Sequence, residues 1–254
     1  MLMHLRFLLL VMSVLGVLAC PGRAAQMLVS GNSMDNSNPG FVANLNSLGH
    51  TYTFVPTDSF TSTSLTGFNA VWLDGFSFYG GGLSAQLTSF LNGGGTVLVQ
   101  NPGFGTEQIS DYPLGSSLTP VYTIPPGENL IRIAASSHPI NAGLTGSALS
   151  GWTPSAGGYF STVGDFTVLT DNGTSGEAIT LAQAVGAGTL VYTQQGLSQR
   201  LASTSDPAAL LLLNNIFLTA VPEPGVFGLL ALGAGMFSAV RVRVRSLRRE
   251  RAAN

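Results

Sequence analysis

The 254-residue sequence has no lysine and a single cysteine, Cys20, and only 9% of its residues are charged. Each shortage excludes something. One thiol near the start of the chain rules out a disulfide framework and, once the front segment is removed, a cysteine nucleophile. Between Ala25 and Val221 the only cations are Arg132 and Arg200, and ten acids leave that stretch at −8. An acidic body without a basic face repels a phosphate backbone, so nucleic acid is not an expected partner. Histidine is scarce as well: His4, His50 and His138 are the three, and none follows His138. Neither His50 nor His138 has a second histidine at metal-ligand spacing, so no zinc site is expected, and no cofactor. No repeat of about 20–50 residues recurs along the chain.

What is present concentrates at the two ends. Residues 1–25 have the three parts of a secretory signal. His4 and Arg6 make a short basic region, 7–19 form an apolar run, and Gly22-Arg23-Ala24 puts small residues at positions −3 and −1 of a cleavage after Ala24. The run is too short to span a bilayer comfortably. A second reading stays open, because Val17-Leu18-Ala19-Cys20 also has the pattern of a lipoprotein signal. Both readings export the body.

At the other end, Val221-Pro222-Glu223-Pro224 stops any preceding helix, since neither proline can donate a backbone hydrogen bond. Residues 225–240 carry no charge, and Ser238 is their only polar side chain. Arg241, Arg243, Arg245, Arg248 and Arg249 follow. Sixteen helical residues cover about 24 Å against a hydrocarbon core of about 30 Å, a gap that snorkelling arginines and local thinning can close. Positive charge belongs on the cytoplasmic side, which places the body outside.

The order Val-Pro-Glu-Pro, short apolar helix, Arg-rich terminus resembles the PEP-CTERM sorting signal over residues 221–254. The resemblance implies an exosortase-type membrane protease as partner, cutting near Pro222–Pro224. It also implies a producer of extracellular polysaccharide, with the body first held at the inner membrane and then released to the cell surface or matrix.

The body, 26–220, alternates short β-prone runs with helical patterns. Strands are expected at 27–30, 51–55, 70–73 and 96–100, and helices at 39–48 and 83–91. Phe41, Leu45 and Leu48 fall on one stripe of the first helix, with Pro39 near its start and Gly49 as its stop. Further strands are expected at 129–135 and 166–170. Residues 178–185 and 189–194 flank Gly186-Ala187-Gly188 as a hairpin. A closing helix spans 206–219, with Asp206 at the N-cap, Pro207 at the first position and 210–213 packed inside. The β-α-β-β-α-β opening predicts an α/β fold with a doubly wound, mostly parallel sheet of flavodoxin-like type.

This succession resembles the class I glutamine-amidotransferase-like fold, in particular its trehalose-utilisation-protein-like branch. Carrying the resemblance are Asn69-Ala-Val-Trp-Leu-Asp74, the stretch from Leu91 to Gln100, His138-Pro-Ile-Asn-Ala-Gly-Leu144, and the second hairpin strand with Gln195-Gly196 after it. The fold implies a nucleophile on the turn after the fourth strand and a catalytic histidine late in the chain. The turn here reads Gln100-Asn101-Pro102-Gly103, with no Cys or Ser, and no late histidine exists. No catalytic residue is therefore assigned. His138 is expected in a structural loop and His50 on the surface.

The remaining candidates are polar residues at strand C-terminal ends, where open α/β sheets place ligands. They are Ser30, Asn32 and Asp35 after the first strand, Asp74 after the third and Asn101 after the fourth, with Glu107 and Gln194 or Gln195 to complete the set. Trp72, Phe76, Phe78, Tyr79 or Trp152 would supply a stacking face. The expectation is an exported surface or matrix protein whose body is a non-catalytic binding or structural module. The alternative is a hydrolase or amidotransferase relative using Asp74 and Glu107.

Overall fold

The computed structural model describes residues 24–31, 34, 37–75, 77, 79, 81–100, 109–122, 131–146, 158–173, 176–203 and 206–219. All of them belong to the first of the two units into which the chain divides, Met1–Val221. Residues 1–23 and 220–254 lie outside the described residues, and with them the leader, Val221, Pro222, Glu223, Pro224, the apolar stretch 225–240 and the arginines that follow it. No helix among the described residues is long and apolar enough to cross a membrane.

The opening follows the sequence pattern closely. Strand β1 (Gln26–Ser30) leads through helix α1 (Pro39–Ser47) to β2 (Thr51–Phe54). Asn38 caps α1, its side chain accepting from Phe41 N at 3.0 Å, and Gly49 takes a left-handed φ of 71° just past its end. Phe41 and Leu45 are fully buried under the sheet, each contributing about 1.5–3 kcal/mol. A 3-10 helix (Thr57–Ser62) carries the chain across to β3 (Ala70–Asp74), and α2 (Leu83–Asn92) leads on to β4 (Thr96–Gln100). Every residue of β3 and β4 is buried, as central parallel strands require.

Beyond β4 come β5 (Thr119–Tyr122), β6 (Ile131–Ile133), β7 (Gly158–Thr162), β8 (Thr167–Asn172), β9 (Ala178–Val185) and β10 (Gly188–Thr193). Helices α3 (Leu197–Ser203) and α4 (Pro207–Leu218) close the body. One ten-stranded sheet runs β2-β1-β3-β4-β10-β9-β7-β5, with β8 on β9 and β6 on β8. Strands β2, β1, β3, β4 and β10 are parallel, whereas every pairing from β10–β9 outward is antiparallel. The expected mostly parallel sheet is thus corrected to a mixed one. Short links such as Gly186-Ala187 can only join antiparallel neighbours, since a parallel return needs a crossover of a dozen residues or more. Gly186 has φ 59°, the positive value a primed hairpin turn requires at its first position.

Two apolar layers cover the sheet. Met27, Val29, Trp72, Leu98 and Val191 face α1, α3 and α4, while Leu28, Val71, Leu73, Val97 and Leu190 face α2 and Phe60 of the 3-10 helix. The sheet is therefore wound on both sides, as expected. Along α4, residues 208, 209, 212, 213, 216 and 217 are buried, and Leu210 and Leu211 lie half-buried beside them.

Candidate functional site

The chain leaves β1 leftward over one face to β2 and returns over the other to β3. The order β2-β1-β3-β4-β10 thus reverses between β1 and β3, and it is outside the strand C-terminal ends at such a switch point that open α/β sheets place ligands. Ser30, Gly31 and Asp74 stand there. A Cβ on Gly31 would lie 2.3 Å from the Cβ of Asp74, so the two strand ends meet only because residue 31 has no side chain. Tyr79 clamps them: its hydroxyl donates to the Ser30 carbonyl at 2.6 Å and accepts from Asp74 N at 3.2 Å. Burial, and then the charge of Asp74, push the Tyr79 hydroxyl well above the usual phenol range. Tyr112 behind it is raised by burial and then by Tyr79. These phenols stay neutral hydrogen-bonding groups.

Asp74 pairs in register with Gln100, and Gln100 with Thr193, so the three share a face. The Gln100 carboxamide locks onto the first turn of α3: Oε1 accepts from Ser198 N at 3.0 Å and Nε2 donates to Ser198 Oγ. On β10, Thr193 Oγ1 lies 2.9 Å from Thr180 Oγ1 and accepts from Gln195 N at 3.1 Å. Gln194 and Gln195 follow, both fully buried, and all four of their amide atoms lack a hydrogen-bond partner. Each such atom costs about 1–3 kcal/mol while it stays unpaired. Gly158 leaves room for Gln194, since a Cβ there would meet Oε1 at 2.3 Å.

Of the residues proposed from sequence, Ser30, Asp74, Gln194 and Gln195 come to this edge. Asn32, Asp35, Asn101 and Glu107 lie outside the described residues, as do Phe76, Phe78 and Trp152. Trp72 packs against Phe41 and Phe217, and Tyr79 against Phe60 and Tyr112, so core neighbours occupy both rings and neither offers a stacking face. Gln100 and Ser198 were missed. A carboxamide ending an otherwise apolar buried strand was the available signal for Gln100. Ser198 had none, because its partner lies 98 residues away.

Neither histidine reaches the edge. His50, expected on the surface, is 7% exposed at the start of β2, where its Nδ1 accepts from Ala25 N at 3.0 Å. The glycine before it let sequence reasoning place it outside, but α4 covers it with Phe217. His138 caps a 3-10 turn (Pro139–Asn141) through its Nδ1, a structural role as expected. Burial lowers the pKa of both. Among the described residues no group of three or more His, Cys, Asp or Glu could hold a metal.

A shallow groove of about 490 Å³ opens at the opposite edge, beside Thr63, Thr66, Phe68, Asn69, Gln86 and Phe90. It holds no titratable side chain, so the C-terminal edge of the strands, where Asp74 lies, is the better candidate for chemistry.

No family model matches the sequence, and no curated protein matches it. In fold the chain is similar to a ThuA-like protein from Bacteroides uniformis, with TM-score 0.52 and 13% identity over 81% of this chain and 95% of that one. It is likewise similar to a glutamine amidotransferase from Thermotoga maritima, with TM-score 0.51 and 11% identity over 79% and 100%. The α-L-fucosidase isoenzyme 2 of Paenibacillus thiaminolyticus gives TM-score 0.52 and 15% identity over 78% of this chain and 32% of the enzyme. At such identities the likeness concerns the fold: an amidotransferase-like α/β sheet.

Proposed function

We propose that the chain is an exported protein, sorted at its C-terminus in the PEP-CTERM manner, whose body binds a neutral, hydroxyl-rich ligand without transforming it. Extracellular polysaccharide is the ligand class that fits. The division into leader 1–25, body 26–220 and sorting segment 221–254 belongs to this reading. One observation carries the binding part: two fully buried glutamines with four unpaired amide atoms at the C-terminal end of β10. Carboxamides offer one donor and one acceptor end, the complement of a sugar hydroxyl. The two cations of the body are both held in ion pairs, Arg132 with Asp171 at 2.8 Å and Arg200 with Asp206 at 3.5 Å. An anionic ligand would have to break one of these pairs to find a counter-charge.

A hydrolytic reading rests on Asp74, a carboxylate 2% exposed at the switch point. The test separates the two. The secreted chain is screened on a glycan array and against ester, amide and glycoside substrates. Binding lost in Gln195→Ala, with no turnover, supports the binding module. Turnover that disappears in Asp74→Asn replaces it with an enzyme. Intact mass tests the sorting: the released protein should lack 225–254, and a surface form retaining them contradicts cleavage by an exosortase-type protease.

A further inference from the structure

The leader reading places a cut after Ala24, and the fold begins at the next residue. Ala24 is exposed, while Ala25 is fully buried. Ala25 N donates to His50 Nδ1 at 3.0 Å, and the Ala25 carbonyl accepts from Thr51 N at 2.9 Å. His50 stands edge-on to Phe217, ring centroids 5.9 Å apart, with the Asn214 side chain beside it. These neighbours carry no charge.

We propose that His50 is the receptor for the mature chain's own α-amine, which hydrolysis of the Ala24–Ala25 bond leaves at Ala25. The inference rests on the export reading above. Water adds across the peptide bond: its oxygen goes to the Ala24 carbonyl carbon, which leaves as a carboxylate, and both its protons end on the Ala25 nitrogen, which becomes an ammonium. The N–H already aimed at Nδ1 keeps its direction. The bond that led to exposed Ala24 becomes an N–H facing water. The new cation is thus solvated on one side and held by an imidazole lone pair on the other. Burial favours the neutral imidazole this needs, with its proton on Nε2 and Nδ1 free to accept. His50 then ties the first residue of the mature chain to α4 through Phe217, and processing ends where the packed body starts.

The absence of lysine makes the experiment clean, since the α-amine is the only amine in the chain. The full chain is expressed with its own leader in a Gram-negative host and recovered from outside the cytoplasm. Its N-terminus is read by intact mass, and its amine is acylated with a succinimidyl ester, folded and in urea. The expected result is a terminus at Ala25 that labels about tenfold or more slowly when folded. His50→Ala should remove that protection. If this variant fails to fold, one glycine inserted after Ala24, which moves the amine off His50, should remove it as well. A terminus elsewhere overturns the cleavage and the amine site together. A terminus at Ala25 that labels equally fast folded and unfolded overturns the amine site alone.

Discussion

Tyr79 shows how a single hydroxyl holds the candidate site. It bonds the Ser30 carbonyl and the Asp74 amide at once, and is itself 3% exposed. Tyr79→Phe removes both hydrogen bonds and is expected to cost about 1–3 kcal/mol in a urea titration. Ligand binding should weaken with it, since the ends of β1 and β3 lose their clamp. The two body histidines set a pH dependence. Burial lowers both below the ordinary value of 6.5, so the unfolded chain binds more protons as the pH drops. Their contribution is complete above about pH 6.5 and declines below it. Urea midpoints at about pH 7.5 and about pH 5.5 should differ accordingly, and a His50→Gln, His138→Gln double variant should show a smaller difference. An unchanged difference would place the proton uptake elsewhere. His50 is also the clearest misreading at this scale, since the helix that buries it lies more than 150 residues further along the chain.

Helices and strands were legible where the determinant was local. Asp206 and Pro207 mark the start of α4 in the sequence, and the structure places the Asp206 carboxylate 2.9 Å from Ala208 N and 3.2 Å from Ala209 N. Asp206→Ala should cost about 0.5–2 kcal/mol, measured by denaturant titration, and Asp206→Asn should recover most of it. Loss from the asparagine variant equal to that from alanine would shift the weight to the ion pair with Arg200. The β4 run of β-branched and apolar residues and the β9–β10 hairpin were equally plain. Strands β5 and β7 were not. β5 contains Pro120, which a lateral strand tolerates and a propensity argument rejects, and β7 opens on the Gly158 that makes room for Gln194. Helix α3 was missed for a similar reason. Its seven residues are held in place by Gln100 and by Asn44, whose Nδ2 donates to the Leu201 carbonyl at 2.6 Å, contacts that no local pattern announces.

At the scale of the whole molecule, charge is the feature with consequences. The body carries two cations, and both are spent in ion pairs. The body, 26–220, should therefore pass through heparin and DNA resins at low salt and bind an anion exchanger. Salt-sensitive retention on DNA would contradict the exclusion of nucleic acid. The amidotransferase-like sheet has its switch point between β1 and β3, and the chain lines the strand ends there with carboxamides, hydroxyls and one carboxylate.

By itself the sequence determined the charge asymmetry of the chain, the start of α4 at Asp206 and Pro207, and the runs that make the parallel core of the sheet, because each is written in composition or in residues within a few positions of one another. Only the tertiary structure decided that the outer sheet turns antiparallel, that His50 is buried under Phe217, that Trp72 and Tyr79 are core, and that Gln100 secures α3. Those facts depend on contacts between segments far apart in the chain, and a contact of that kind leaves no period or spacing in the sequence from which it could be read.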